Sequence, residues 1–443
     1  MTSPLADEAS RSQSRFGEGE KWFALYDALL PMAIGVARLS ALFHPKLREA
    51  LAGRRGGVNR WQIGPSDDRP ALLVHTASRG EFEGARPMLE RILTDGRYRL
   101  AVSFSSPSVR GSVTALNGLW ARGYLPLDKL NEQLKLLTVL KPRALLVFKH
   151  DFWPNMLRAA RMLKVPVLIA NANFHTHSRR NLPLIRSFHR TFMKGITAVL
   201  TVSKDDAHRA ADFLSPDTEL KTLGDTRYDR VMQQVELGRS RFALLREVLG
   251  PAPVAIVGSS WQPEEKICWQ TFARLHPDFL DFRMVVVPHE PHPGAIKRNR
   301  ELAAQYRLNI TLFSEWEQGQ AIAEVLLVDR VGMLAELYAV GWAAFVGGGF
   351  GAGVHSVLEP AAHGLPVAFG PRHHVSHEAG LLLDAGGGFI VRNADELERL
   401  WRGWLENRDS YRRAANAARV VVTSRAGATD HLMAALETHL ASR

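Results

Sequence analysis

Glu81 stands in the run His75-Thr76-Ala77-Ser78-Arg79-Gly80-Glu81-Phe82-Glu83-Gly84, between an apolar β-rich segment and a helical pattern. A carboxylate at a strand's carboxyl end, near the next helix's amino terminus, can take a proton from an attacking hydroxyl. The same position suits an acid that only complements the helix dipole, so both readings stay open. Gly80 is read as allowing a tight turn before it.

A second constellation is the glycine-rich run Gly347 to Gly353, followed by His355, Ser356 and Glu359. Glycines after a strand let the backbone approach a phosphate, and a helix amino terminus beyond them adds a favourable dipole. Glu359 follows His355 by four positions, so a helix starting there would put both on one face. A plain helix-start glutamate is the alternative. The third is Asp329-Arg330-Val331-Gly332-Met333-Leu334, a strand end followed by a helix start, which alone is merely a loop. The fourth is a set of cations, Arg227, His289 and Arg372, with His373, His374 and His377. The histidines have ligand-like spacing. No Asp-x-Asp pair accompanies them, and direct stabilisation of a departing phosphate by cations is preferred.

These groups need a scaffold, and the chain has the pattern of one. From about Arg69, short apolar runs (ALLVHTAS, YRLAVSFSS, ALLVFKH, VPVLIANAN, ITAVLTVS) alternate with helical stretches such as GARPMLERILTD and NMLRAARML. Continuous apolar strands between helices imply a parallel sheet covered on both faces, with ligands at the carboxyl ends of the strands. A helical connector, GDTRYDRVMQQVELGRSRFALLREVLGPAP, separates this half from a second with the same rhythm: PVAIVGSS, FRMVVVPHE, EVLLVDR, WAAFVGGG and LPVAFGP. The expected fold is α/β, two doubly wound Rossmann-like domains facing each other across a cleft, the architecture called GT-B. Expected boundaries are 1–20 disordered, 21–56 an amphipathic membrane-associated helix, 57–235 and 250–425 the two domains, and 426–443 a terminal helix packed on the body.

The length of 443 residues suits two domains. The formal net charge of +11 favours anionic partners: nucleic acid, anionic lipid or phosphorylated substrates. The basic residues are dispersed rather than arranged in a stripe with interleaved aromatics, which argues against nucleic acid. Cys268 is the single cysteine, so no intramolecular disulfide and no cysteine zinc site can form.

The segment KWFALYDALLPMAIGVARLSALFHPKLREALAGRRG is apolar and aromatic but interrupted by Asp27, Pro31 and Arg38. The charge-free run between Asp27 and Arg38 is shorter than the roughly 20 residues of a membrane span. An interfacial helix fits better. Trp22, Phe23, Leu25, Leu29 and Leu30 would enter the headgroup boundary, with Lys46, Arg48, Arg54 and Arg55 meeting lipid phosphates. An amphipathic helix docked on the first domain is the other reading.

The motifs resemble those of the bacterial Kdo transferases. The run around Glu81 is similar to the family's Ser-x-Gly-Glu motif. YLPLD (Tyr124 to Asp128) and DFWPN (Asp151 to Asn155) resemble blocks of its first domain, and GDTRYDR (Gly224 to Arg230) the block before the second. GSSWQPEE (Gly258 to Glu265), VPHE (Val287 to Glu290) and Gly347 to Pro371 resemble the nucleotide half. Four blocks depart from the commoner family form. These are KHDFWPN, Asp225 with Arg227 where Asn and Lys are usual, Pro288-His289-Glu290 for Pro-Arg-His, and HSVLE for His-Asn-Pro-Leu-Glu.

The resemblance implies transfer of Kdo from CMP-Kdo to lipid IVA by an inverting single displacement in lipopolysaccharide synthesis, without a metal cofactor. The expected location is the cytoplasmic face of the bacterial inner membrane, against an anionic surface. It implies Glu81 as general base, with Ser78, Arg79, Gly80 and Asp151 on the acceptor side. Arg227 and Arg372 would meet the phosphate or donor carboxylate. The donor would be held by Ser259, Ser260, Pro288, His289, Glu290, Gly332, Met333, Leu334, Gly348, Gly349, Gly353, His355, Ser356 and Glu359, with Glu359 on the ribose. A sugar-nucleotide epimerase and a lipid A disaccharide synthase are the enzymatic alternatives on the same fold. A basic nucleic-acid- or membrane-binding protein is the non-enzymatic one.

Overall fold

The computed structural model describes residues 4–149, 151–174, 183–316 and 320–441. The chain divides into two compact units, Met1–Arg227 with Gly427–Arg443, and Tyr228–Ala426. The helix Thr226–Arg241 carries the chain from one to the other.

The first unit is built on eight strands: β1 (Gln62–Ile63), β2 (Ala71–Thr76), β3 (Arg99–Phe104), β4 (Ala121–Tyr124), β5 (Pro142–Phe148), β6 (Val167–Ala172), β7 (Ala198–Thr201) and β8 (Glu219–Thr222). Their order is β1-β4-β3-β2-β5-β6-β7-β8, parallel except for the short β1 against β4. Side chains alternate between the two faces of a strand. Leu73, Leu145 and Ile169 therefore fill one layer of helix contacts, and Leu72, Val74, Leu146 and Leu168 the other. The terminal helix Ala428–Ala441 completes this second layer with Leu432, Met433, Leu436 and Leu440.

The second unit has seven strands: β9 (Val254–Ser260), β10 (Arg283–Pro288), β11 (Ile310–Leu312), β12 (Val325–Leu327), β13 (Ala343–Val346), β14 (Val367–Phe369) and β15 (Gly388–Ile390). The order is β11-β12-β10-β9-β13-β14-β15, all parallel. All ten apolar runs singled out in the sequence are strands. The strands not anticipated are β1, β4, β8, β11 and β15. All are short; β1, β8, β11 and β15 are the sheet edges and β4 is next to one, and incomplete burial there dilutes the apolar signal. In each sheet the direction of winding reverses once, between β2 and β5 and between β9 and β13. Such switch points open a crevice at the strands' carboxyl ends.

The amino-terminal segment departs from expectation. A single helix, α1 (Pro4–Ser40), begins well before residue 20 and is followed by α2 (Pro45–Arg54). Its early residues include Ala, Glu and Arg, which favour helix, and Pro31 removes one hydrogen bond without ending it. By length and composition alone, the stretch Glu20–Ser40 is long and apolar enough to cross a membrane. One face of it is engaged by protein, however. Phe23 is buried, and the Tyr26 hydroxyl donates to Asp128 Oδ2 at 2.9 Å. Asp27 accepts from Asn155 at 2.6 Å and pairs with Arg158 at 3.2 Å.

Candidate active site

At the switch point of the first unit, β2 ends at Thr76 and leads into α3 (Arg79–Asp95). Ser78 caps this helix, its side chain accepting from the Glu81 N–H. The Glu81 carboxylate bends back and accepts from the Ala77 N–H at 2.6 Å. Glu81 is thus a helix-start acid in geometry, and half-buried. Burial raises its carboxyl above the usual glutamate range, against the opposing pull of the Ala77 N–H and the Lys149 charge. Gly80 does not make a tight turn. It lies inside the first helical turn, and a Cβ there would meet open space. Arg79, beside it, is exposed.

Asp151 follows β5 on the other side of the switch point. Its Oδ2 accepts from His75 Nε2 at 2.9 Å, Ser105 Oγ at 2.8 Å and Trp153 Nε1 at 3.0 Å. Burial opposes its ionisation, but these donors outweigh it, and the carboxyl is held down at about 2. An ionised carboxylate only accepts, so His75 Nε2 carries the proton. His75 is fully buried, and its Nδ1 meets Ser103 Oγ at 2.9 Å. Two carboxyls thus have opposite tendencies: Asp151 is held as an anion, and Glu81, which feels the Asp151 charge, is readier to hold a proton. Environments that separate two acids in this way are a mark of acid–base chemistry. His75, Ser103, Ser105 and Lys149 were not chosen from the sequence. His75 sits in a quoted motif, but nothing in one strand shows that its partner is 76 positions away.

Arg227, at the end of the unit, is held by Asp225. Its guanidinium meets Asp225 Oδ2 at 2.7 and 2.8 Å, and its N–H donates to Oδ1. Asp225 is buried and also accepts from Asn171. The two departures from the commoner Asn and Lys are therefore complementary, since the new carboxylate pairs with the new guanidinium.

In the second unit the motifs gather at the carboxyl ends of β9, β10, β12, β13 and β14. Ser259 has a positive φ of 52°, and Ser260 is buried with its hydroxyl on Glu265. Pro288 ends β10, and the His289 N–H donates to the Ser260 carbonyl at 3.0 Å. The His289 ring stacks on His355 with centroids 4.3 Å apart and on Trp261 at 4.7 Å. The Trp261 indole N–H donates to His355 Nε2 at 3.1 Å. Burial, and then the neighbouring His289, push His355 below the usual histidine range, which suits its role as acceptor. Gly332, with φ 84°, and the buried Met333 lead into a short helix (Leu334–Leu337), where Leu334 lies against Gly258. Glu290 is exposed and makes no side-chain contact with these groups among the described residues.

The glycine-rich run is built differently from expectation. The N–H groups of Gly348 and Phe350 do not point outward to a ligand. They donate to Glu264 Oε1 at 3.0 and 3.2 Å. Glu264 is buried and also accepts from the Trp261 N–H at 3.1 Å. The glycines serve close packing of backbone on backbone. A Cβ on Gly349 would lie 2.6 Å from the Gly370 nitrogen, and one on Gly347 would collide with the Ser259 carbonyl. Gly353, at φ 136°, packs under Val375. Arg372 donates to the Gly351 carbonyl at 2.7 Å, so it braces this loop. His355 and Glu359 do not share a helix face. The helix there is only Leu358–Ala362, and the His355 N–H donates to the Gly347 carbonyl. Glu359 accepts from the Ser356 hydroxyl and acts electrostatically on the buried Tyr338. Among the described residues no three His, Cys, Asp or Glu side chains converge as a metal site. Glu264 was missed although it lies three residues after Trp261 at a helix start, a capping position.

Residues 49–230 match the family model described as 3-deoxy-D-manno-octulosonic-acid transferase (kdotransferase). The 3-deoxy-D-manno-octulosonic acid transferase of Haemophilus influenzae is 26% identical over 429 residues, covering 95% of this chain and 99% of that protein. Over most of its length the chain is similar to Kdo transferases. The family's Aquifex aeolicus transferase is 27% identical over 332 residues, 74% of this chain and 84% of its own. Among solved structures, UDP-GlcNAc 2-epimerase from Neisseria meningitidis superposes with a TM-score of 0.60 at 15% identity, over 83% of this chain and all of that one. That similarity concerns the GT-B fold alone.

Proposed function

We propose that this protein is a Kdo transferase that moves Kdo from CMP-Kdo to a phosphorylated lipid acceptor, lipid IVA or a close relative, with inversion at the anomeric carbon. The observation that carries the assignment is the placement of Glu81. It is a half-buried carboxyl of raised proton affinity at the switch point of the first sheet, within the region that matches the family model. Glu81 takes the proton from the acceptor hydroxyl as that oxygen attacks, and CMP leaves with the bonding electrons. Asp151, held as an anion, keeps His75 and Trp153 in place around the acceptor side and disfavours a second negative charge on Glu81 before the acceptor binds.

The nucleotide is assigned to the second unit. Glu359 is taken to hold the ribose, and the loop after Gly332 the base. The His289–His355 stack and the helix starts face the phosphate. Arg227 and Arg372 each have protein partners, so meeting the donor's charges requires that they share or exchange those contacts. No metal is invoked. The expected location is the cytoplasmic face of the inner membrane, with α1 in the interface rather than across it, because its Phe23–Asp27 face is spent on the first unit.

The test is incubation with CMP-Kdo made in situ and lipid IVA, with and without EDTA, read by mass spectrometry. A lipid heavier by one or more Kdo units in both conditions is expected. CMP binding without product would move the acceptor or donor sugar elsewhere. Absence of CMP binding would remove the assignment of the second unit.

A further inference from the structure

Behind the carboxyl end of α1 lies a cavity of about 590 Å³, closed by α2 and by the loop after Leu127. Arg38, Arg48, Arg54, Arg55 and Lys129 line it, against a single carboxylate, Glu132. Arg54 is committed to the protein: its guanidinium donates to the Ser105 carbonyl and lies over the Trp153 ring. Among the described residues, Arg38, Arg48, Arg55 and Lys129 make no ion pair, and all four are exposed. Four unpaired cations turned toward one concavity repel each other, and an anion entering it relieves that repulsion.

The surface beside the cavity is apolar. Leu25, Leu29, Met32, Val36 and Leu39 recur at helical spacing along α1, and each is at least 48% exposed. Leu42 and Phe43 extend the stripe through the turn, at 68% and 81%. Leu42 also lines the cavity, so the stripe and the cationic concavity are continuous. Isolated exposed apolar residues need no explanation, but a stripe this long on one helix face marks an interaction surface. The opposite face of α1 is already spent on Asp128, Asn155 and Arg158.

We propose that this cavity is a discrete site for one anionic phospholipid of the bilayer, with its headgroup phosphate among Arg38, Arg48, Arg55 and Lys129 and its acyl chains along the α1 stripe. Charge complementarity selects the occupant. A soluble anion would leave the stripe in water, and a neutral lipid would leave the cations unanswered. The proposal rests on the interfacial placement of α1 and not on the transfer reaction. A failure to form Kdo product leaves it standing.

The experiment compares co-sedimentation of the full chain with vesicles of phosphatidylcholine alone and of phosphatidylcholine containing phosphatidylglycerol. Arg48→Glu with Arg55→Glu is set against Arg408→Glu with Arg412→Glu, an equal charge change on an exposed helix of the other unit. Each basic contact near an anionic surface contributes on the order of 1 kcal/mol, so binding to the phosphatidylglycerol vesicles should fall at least about tenfold in the first variant. It should change less than about twofold in the second. Binding to phosphatidylcholine alone should be unchanged in both, because the stripe is intact. Native mass spectrometry should find one phosphatidylglycerol retained per wild-type chain and none in the first variant. An unchanged far-UV circular dichroism spectrum and melting temperature show that the variant is folded, and Arg48→Gln with Arg55→Gln repeats the comparison with less repulsion. Equal losses in the two charge variants, or no loss in either, would overturn the site. Displacement of the retained phosphatidylglycerol by equimolar lipid IVA would assign the cavity to the acceptor and also overturn it.

Discussion

The two switch points solve the same problem in opposite ways. In the first unit, side chains from β2, β3 and the loop after β5 form a buried polar cluster around Asp151, and Glu81 sits at its edge. In the second, backbone packs on backbone through glycines, and a single buried side chain, Glu264, ties the loop down. A side-chain cluster adjusts proton affinities, whereas a close-packed loop fixes a shape. The first arrangement suits proton transfer and the second suits holding a ligand of constant form.

The comparison is broken most strongly at Glu81. Glu81→Gln should lower turnover by about 100- to 10,000-fold with CMP binding intact. The same substitution should raise the melting temperature at neutral pH. A carboxyl whose folded affinity for a proton is raised contributes stability below the usual glutamate range and loses it as pH rises through the folded value. The thermal gain should therefore vanish in acid. Equal melting temperatures at all pH values would show that burial does not act on this group.

Next comes Gly349→Ala. The added methyl meets the Gly370 backbone, which cannot rotate away. The expected cost is about 1–3 kcal/mol, with loss of CMP binding in the second unit. An unchanged melting temperature would show that the loop is not close-packed.

Asp151→Asn tests the other side of the comparison through pH. A folded value near 2 against an ordinary 3.8 corresponds to about 2 kcal/mol of stability, present above the ordinary value and lost as pH falls toward 2. The loss in melting temperature relative to wild type should be full at pH 7 and vanish in acid, opposite in sign to the gain expected of Glu81→Gln. The smallest effect is expected at Asp225 and Arg227. A double-mutant cycle with Asp225→Asn and Arg227→Lys should give a coupling of about 0.5–1 kcal/mol, because the guanidinium is partly exposed. No coupling would mean that the two departures are independent.

Much of this scaffold is visible in the amino acids. Buried strands such as Ala71–Thr76 and Val167–Ala172 carry continuous apolar runs because both faces are covered. Edge strands such as Glu219–Thr222 carry no such run and escape notice. The position of Glu81 at a strand-to-helix junction was legible for the same local reason. Its environment was not, since Asp151 and Lys149 reach it only through the pairing of β2 with β5. The role of the glycine run was misread for a related reason. Gly348 and Gly349 signal close approach, but whether the approaching group is a phosphate, Glu264 or Gly370 is decided by other strands.

The terminal helix has a consequence for how the chain is made. Leu432, Met433, Leu436 and Leu440 belong to the core of the first unit, although nearly two hundred residues of the second unit precede them. A ribosome releases the second unit's sequence before it releases the piece that seals the first. The first unit thus waits with an open apolar layer while its neighbour is synthesised, and that gap closes only after Ala428–Ala441 has been released. Removing Ala428–Ala441 would be felt in the half that was translated first.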